Sequence, residues 1–265
     1  MKQLPDLSVR QFCYACENEA TSVEHTPPKC IFPQLKDFPH KNLRRNLVTV
    51  PSCDHHNSAK SKDDEFLMIS LAGMLGNNSI GYAHSITKVD RALRRSSYKL
   101  IERIFVSNRK FVRIDLGGNK FIDAIAGTPD IDRLNMCFKH IALGIYRHHF
   151  STNFKGEIKA LVSFLIIEHQ GRSKLQEFLL ARARRDARDL PRHGENPEVF
   201  FYQVVDPDEH GIFLINLCFF ENIEIFCALI PHASNIPTRL GFELMKNGMP
   251  VTFTLDGDEY PVHIE

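Results

Sequence analysis

The chain has 265 residues, enough for one large domain or for a small module joined to a larger one, and either can bury a core. Hydrophobic residues make up 43% and charged residues 25%, which excludes a disordered or fibrous chain. A formal net charge of +1 excludes any global electrostatic argument for a polyanionic partner, so a nucleic-acid reading has to rest on local patches and local chemistry.

The first residues, MKQLPDLSVRQF, lack the apolar core of a signal peptide, and no apolar run approaches the roughly 20 residues that cross a bilayer. Cysteines number seven, and Cys30, Cys137, Cys218 and Cys227 sit in apolar surroundings, as buried free thiols do. A soluble protein of the reducing cytoplasm is expected. Residues 1–65 are rich in Cys, His, Pro and Asn and too poor in periodic apolar segments to build a core, so this stretch needs a staple. The character then changes. DDEFLMISLAGML has apolar residues at helical spacing, with Asp63, Asp64 and Glu65 where a helix N-terminus favours negative charge, and a boundary near residue 65 is expected.

A helix to about Leu75, a Gly-Asn-Asn-Ser break and a second helix across roughly 84–106 follow. KFVRIDLG and KFIDAIAG read as two strands joined by a Gly-Gly-Asn turn at 117–119. Asp130 to Tyr146 reads as a helix, ALVSFLIIEHQ as a buried strand, and SKLQEFLLARARRDARD as an amphipathic helix ended by Pro191. EVFFYQVVD, GIFLINLCFF and IEIFCALIP read as an antiparallel meander, with Phe200, Phe201, Phe219 and Phe220 in its core. Residues 66–265 are therefore expected to form a larger α+β domain with an antiparallel sheet.

Two knuckles supply soft and borderline metal ligands: Cys13-Tyr-Ala-Cys16 and Cys53-Asp-His-His56. A two-residue gap lets one turn aim both side chains at a single ion, as a tetrahedral structural zinc requires. A redox Cys-x-x-Cys belongs after a strand in a βαβ setting, which Gln11-Phe12 does not offer. A zinc deaminase wants His-x-Glu and then Pro-Cys-x-x-Cys, whereas here Val23-Glu24-His25 precedes Pro51-Ser52-Cys53. His55 competes with His56 for the fourth place and Cys30 is a further contender, but the spacing favours His56.

Between the knuckles lie Val23-Glu24-His25-Thr26-Pro27-Pro28 and Asn46-Leu47-Val48, and Asn57 and Lys60 follow the second. Over residues 11 to 65 this pattern resembles the HNH, or ββα-metal, endonuclease family: an acid before His, an Asn-Leu pair, then Cys-x-x-(Cys/His)-(His/Asn)-x-x-Lys. The resemblance implies a treble-clef-like zinc-stapled module that hydrolyses phosphodiester bonds of nucleic acid, and it leans to DNA. By it, His25 is the general base, Glu24 and Asn57 hold one divalent cation (Mg²⁺ or Mn²⁺), and Asn46 ties the loop carrying His25. The chemistry is consistent, since an imidazole with a pKa of about 6.5 accepts a proton at neutral pH and hard oxygens suit Mg²⁺. This chain departs from the commoner pattern in having Glu24 for Asp and His56 for Cys, and both swaps keep the ligand class.

Phosphate contact is expected from the basic patch of Lys29, Lys36, Lys41, Arg44, Arg45, Lys60 and Lys62, with Lys60 equally readable as a solvated lysine. Two further sets at helical spacing, Arg91, Arg94, Arg95, Lys99 and Arg103, and Arg182, Arg184, Arg185, Arg188 and Arg192, are interleaved with acids and read first as solvated faces. His140, His148 and His149 have no matching ligand set and read as structural or surface histidines. Residues 66–265 would select the target, pair subunits as a homodimer or regulate access, which includes a defence effector gated by a partner. The alternative is a zinc-stapled binding module without catalysis, contacting nucleic acid or protein.

Overall fold

Ser22-Val-Glu-His25 forms β1 and Thr49-Val-Pro-Ser52 forms β2, paired antiparallel with Ser22 opposite Ser52 and His25 opposite Thr49. The segment leading into β1 folds back on itself, with Phe12 bridging Glu19, and a 3-10 turn at Asp54–His56 follows β2. Helix α1, Ser61–Ala72, comes next, with Asp63 and Asp64 in its first turn as the dipole favours. The computed structural model describes residues 11–57, 60–115, 117–165, 170–208, 211–232, 251–255 and 258–262. Most of the N-terminal dodecapeptide and part of the expected strand over 160–170 lie outside the described residues.

By its contacts the chain divides into two units, Met1–Asn153 with Arg192–Tyr202 and Cys218–Ile223, and Phe154–Pro191 with Gln203–Leu217 and Glu224–Glu265. Helix α1, Ser61–Ala72, runs across residue 65, where the change of character in the sequence falls. That helix buries Phe66, Leu67, Met68, Ile69, Leu71 and Ala72, which is apolar surface around most of its circumference and marks a central helix.

The expected helix over 84–106 is broken into pieces: α2 (Ser79–His84), a π turn (Ser85–Val89), α3 (Asp90–Arg95) and α4 (Lys99–Glu102). The break has a local cause. Ser97 takes a left-handed φ of 50° and Tyr98 donates its N–H to the Leu93 carbonyl at 2.8 Å while Ser97 donates to Arg94 at 3.0 Å, a Schellman termination without glycine. Strands β3 (Phe105–Asp115) and β4 (Phe121–Pro129) form the expected hairpin, turned by Gly117, Gly118 and Asn119, all at positive φ.

Helix α5, Ile131–Phe150, extends four residues past the expected end at Tyr146. Its Asp130 cap accepts the Arg133 N–H at 3.1 Å, and Leu134, Cys137, Phe138, Ile141, Ala142 and Ile145 line its buried stripe. Arg133 ties it to α1 through Asp63 at 2.8 Å, the Lys62 carbonyl at 2.9 Å and the Phe66 ring at 4.2 Å.

The larger sheet has the order β5-β9-β8-β7-β6, from β5 (Gly156–Val162), β6 (His193–Asn196), β7 (Phe200–Val205), β8 (Phe213–Phe219) and β9 (Ile223–Pro231). In the second unit, α6 (Gln170–Ala187) packs Leu180, Ala183 and Ala187 on Phe226, and β10 (Val251–Leu255) pairs with β11 (Asp258–Val262). The class is α+β, as expected.

Candidate metal centre

The first knuckle is held by main-chain bonds, Cys13 N–H to the Asn18 carbonyl at 2.8 Å and Tyr14 N–H to the Pro51 carbonyl at 2.9 Å. The second is a turn in which the His56 and Asn57 N–H groups donate to the Cys53 carbonyl at 3.0 and 3.1 Å. These turns bring one ligand atom each from Cys13, Cys16, Cys53 and His56 within 4.8 Å of one another, the one such group of His, Cys, Asp and Glu among the described residues.

The spacing discriminates between possible uses. Cys16 Sγ lies 3.8 Å from Cys53 Sγ, and His56 Nδ1 lies 3.5 Å from Cys13 Sγ and 3.4 Å from Cys53 Sγ. A disulfide needs about 2.05 Å. A tetrahedron with Zn–S of about 2.3 Å and Zn–N of about 2.0–2.1 Å has edges of about 3.8 Å between sulfurs and about 3.5 Å from sulfur to nitrogen. The donor set fits zinc, with His56 rather than His55 as the nitrogen ligand and Cys30 elsewhere.

Two residues that sequence reasoning left aside support this cluster. Asn153 donates to the Cys13 carbonyl at 2.7 Å, and the His140 ring meets the His56 ring edge-on at 5.6 Å between centroids. No spacing in the chain marks either, because both act across more than 80 residues.

Around β1 the expected catalytic residues fall into separate environments. His25 is half-buried, and burial, then the charges of Lys29 and Arg44, lower its pKa, so its imidazole is neutral at pH 7. Among the described residues no hydrogen bond orients its ring. The adjoining loop is tied by Thr26, whose N–H donates to the Val48 carbonyl at 3.0 Å and whose hydroxyl donates to the Ile141 carbonyl at 3.3 Å. Asn46, expected to supply that tie, is exposed at a left-handed φ of 45°, and its amide makes no hydrogen bond among the described residues. The ties at this point of the loop come from Thr26, through its N–H to Val48 and its hydroxyl to α5.

Glu24 is 6% exposed, and its carboxylate pairs with the buried Lys60 ammonium at 3.4 Å. Lys60 also lies 3.5 Å from the Tyr14 hydroxyl and beside Asp64. Burial raises Glu24 to about 7, with Lys60 opposing, and raises Tyr14 to about 12. Lys60, a residue 9% exposed, is a buried counter-ion to Glu24, neither the solvated lysine nor the surface phosphate contact that the sequence suggested.

Asn57 donates its amide to Ser22 Oγ at 2.8 Å, on the strand that carries Glu24. For a divalent cation, the donors on offer are the Asn57 amide oxygen and one carboxylate whose charge Lys60 already balances. As arranged, Glu24 does not fit an open cation ligand.

The basic residues also divide. Arg45 and Lys62 are exposed, Lys41 pairs with Glu198, and Arg44 is bonded to the Phe32 carbonyl. Arg91 and Arg94 are held by Asp37 and Asp90, while Arg95, Lys99 and Arg103 line one groove of about 450 Å³ with Glu65. On α6, Arg182 and Arg185 pair with Asp186 and Arg184 with Glu224, as a solvated charged face requires. Comparison with protein-family models, curated proteins and solved structures gives no match.

Proposed function

We propose that this chain is a zinc-stapled phosphodiester hydrolase of the HNH type acting on nucleic acid, with DNA favoured by the resemblance. The observation that carries the proposal is His25: a half-buried imidazole kept neutral by burial and by flanking cations, at the end of a strand one residue after an acid, within a hairpin bounded by two metal knuckles. In this reading zinc at Cys13, Cys16, Cys53 and His56 holds a treble-clef-like ββα module. His25 accepts the proton of the attacking water on a ring nitrogen, work typically worth about 10²–10⁴-fold in rate. Arg45 and Lys62 meet backbone phosphates, which position a strand without reading its sequence.

The metal-dependent form of this reading requires Lys60 to release Glu24 before Mg²⁺ or Mn²⁺ reaches Glu24 and Asn57. The Lys60–Glu24 pairing favours the second reading, a zinc-stapled binding module without hydrolysis. Purified protein incubated with plasmid and with RNA, with and without Mg²⁺ or Mn²⁺, separates the two. Nicking that falls at least about 100-fold in His25→Ala, with zinc content and folding unchanged, is expected. Intact substrates under every metal condition would leave only the binding module.

A further inference from the structure

Lys88 and Arg44 are cations that nothing in the clasp accounts for. Lys88, on the π turn Ser85–Val89, donates its ammonium to the Cys30 carbonyl at 2.7 Å. Arg44 donates Nε and Nη2 to the Phe32 carbonyl at 3.0 and 2.7 Å. Both cationic heads are thus moored to carbonyls two residues apart on one short segment. Each is half-buried, and among the described residues neither has a carboxylate within ion-pair distance. The nearest carboxylate, Asp37, is bonded to Arg91 at 2.7 Å and offsets the charges of Lys88 and Arg44 only from beyond ion-pair distance, and Asp64 faces Lys60.

Taking a cation out of water without an anion in direct contact is costly, and Lys88 shows it: burial and then the Arg44 charge push it down to about 8, although Cys30 and Asp37 oppose. His84, fully buried at 0% exposure, packs against the same segment, with its ring beside the Cys30 carbonyl, which works against burial in setting its pKa. Arg44 connects this cluster to the proposed base, since its charge acts on His25 as well as on His84 and Lys88.

We infer that Arg44 and Lys88 form a binding site for a phosphodiester group on the segment of residues 30–32 that follows His25 in the chain, with Lys88 supplied from outside the first 65 residues. The guanidinium keeps Nη1, and the ammonium keeps the N–H bonds not spent on Cys30, for the non-bridging oxygens. The identity of the anion as a substrate rests on the hydrolase reading. The anion site itself does not.

Two probes test it on the full-length zinc-loaded protein: inorganic phosphate and the dinucleotide thymidylyl-3′,5′-thymidine, titrated while the imidazole ¹H–¹⁵N signals of His25 and His84 are followed. Both probes are expected to bind the wild type and shift these signals. Lys88→Gln and Arg44→Gln are expected to weaken each by about tenfold or more, and Lys88→Arg to retain binding. Failure of both probes to bind, or Lys88→Gln binding within about twofold of the wild type, overturns the site. Phosphate binding without dinucleotide binding overturns the phosphodiester assignment. Should Lys88→Gln fail to fold by circular dichroism, Arg44→Gln decides in its place. Lys88-dependent binding in a protein that cleaves nothing removes the hydrolase reading alone, whereas His25-dependent cleavage with unaltered Lys88→Gln binding removes this site alone.

Discussion

Lys60 shows how one side chain carries both stability and the question of catalysis. Its ammonium stays protonated in the fold: burial opposes the charge, but Tyr14, Glu24 and Asp64 around it outweigh burial. Lys60→Met leaves the Glu24 carboxylate buried without its counter-ion, a change worth about 3–5 kcal/mol in comparable buried pairs. The loss is expected to be largest above about pH 7, where Glu24 is ionised, and to shrink in the Lys60→Met, Glu24→Gln double variant. Urea midpoints at pH 8 check this, and a shift under about 1 kcal/mol for the single variant would contradict the buried pairing. His84 supplies a second test. Burial, then the charge of Lys88, lowers it to about 4, so the native state binds this proton less readily than the unfolded chain does. The stability it contributes is present above about pH 6.5 and is lost as pH falls toward 4. His84→Phe is expected to flatten thermal stability over that window, and an unchanged acid limb would show that other groups set it. Of these residues, Lys60 was visible in the motif but its burial was not. His84 carried no signal at all, because one histidine in a helical segment looks the same buried or exposed.

At the scale of elements, α5 does for β1 what the motif assigns to Asn46. A Cβ built on Gly144 would stand 2.7 Å from Thr26 Oγ1 and 2.9 Å from its Cβ, so the helix reaches the residue after His25 only because position 144 has no side chain. Gly144→Val must displace Thr26 or α5. An expected cost of about 1–3 kcal/mol in stability should come with a fall in any His25-dependent cleavage, while zinc content stays unchanged. Wild-type cleavage kinetics in that variant would mean that the contact does not position His25. The hairpin β3–β4 was legible because alternating apolar residues flank a turn of glycine and asparagine, and its turn chemistry is local. The break between α3 and α4 was not. Ser96 and Ser97 are poor punctuation in a sequence, and the Schellman bonds that end α3 become apparent only with coordinates.

For the molecule as a whole, the clasp is the expected point of failure. Its four ligands come from two turns 37 residues apart at their inner ends, and the core around them is small: Cys13, Tyr14, Val50 and Cys53, with Ala15, Cys16 and Leu143 against it. A structural zinc contributes on the order of 10 kcal/mol to such folds. Chelation at neutral pH, or Cys53→Ser, is therefore expected to lower the melting temperature sharply and to release about one zinc per chain, read by metal analysis. Retention of the melting temperature after zinc is gone would reduce the clasp to four adjacent side chains.

The chain alone determined the ligand set of the clasp, the α+β class and most element positions, since ligand spacing, capping and apolar periodicity are short-range properties. Tertiary structure decided which expected site residues keep company. Lys60 turned inward to Glu24, Asn57 bonded to Ser22, Asn46 stayed at the surface, and Lys88 and His84 came beside the segment that follows His25. These pairings depend on burial and on contacts between residues as much as 58 positions apart, and no local pattern encodes which of two polar groups loses its water.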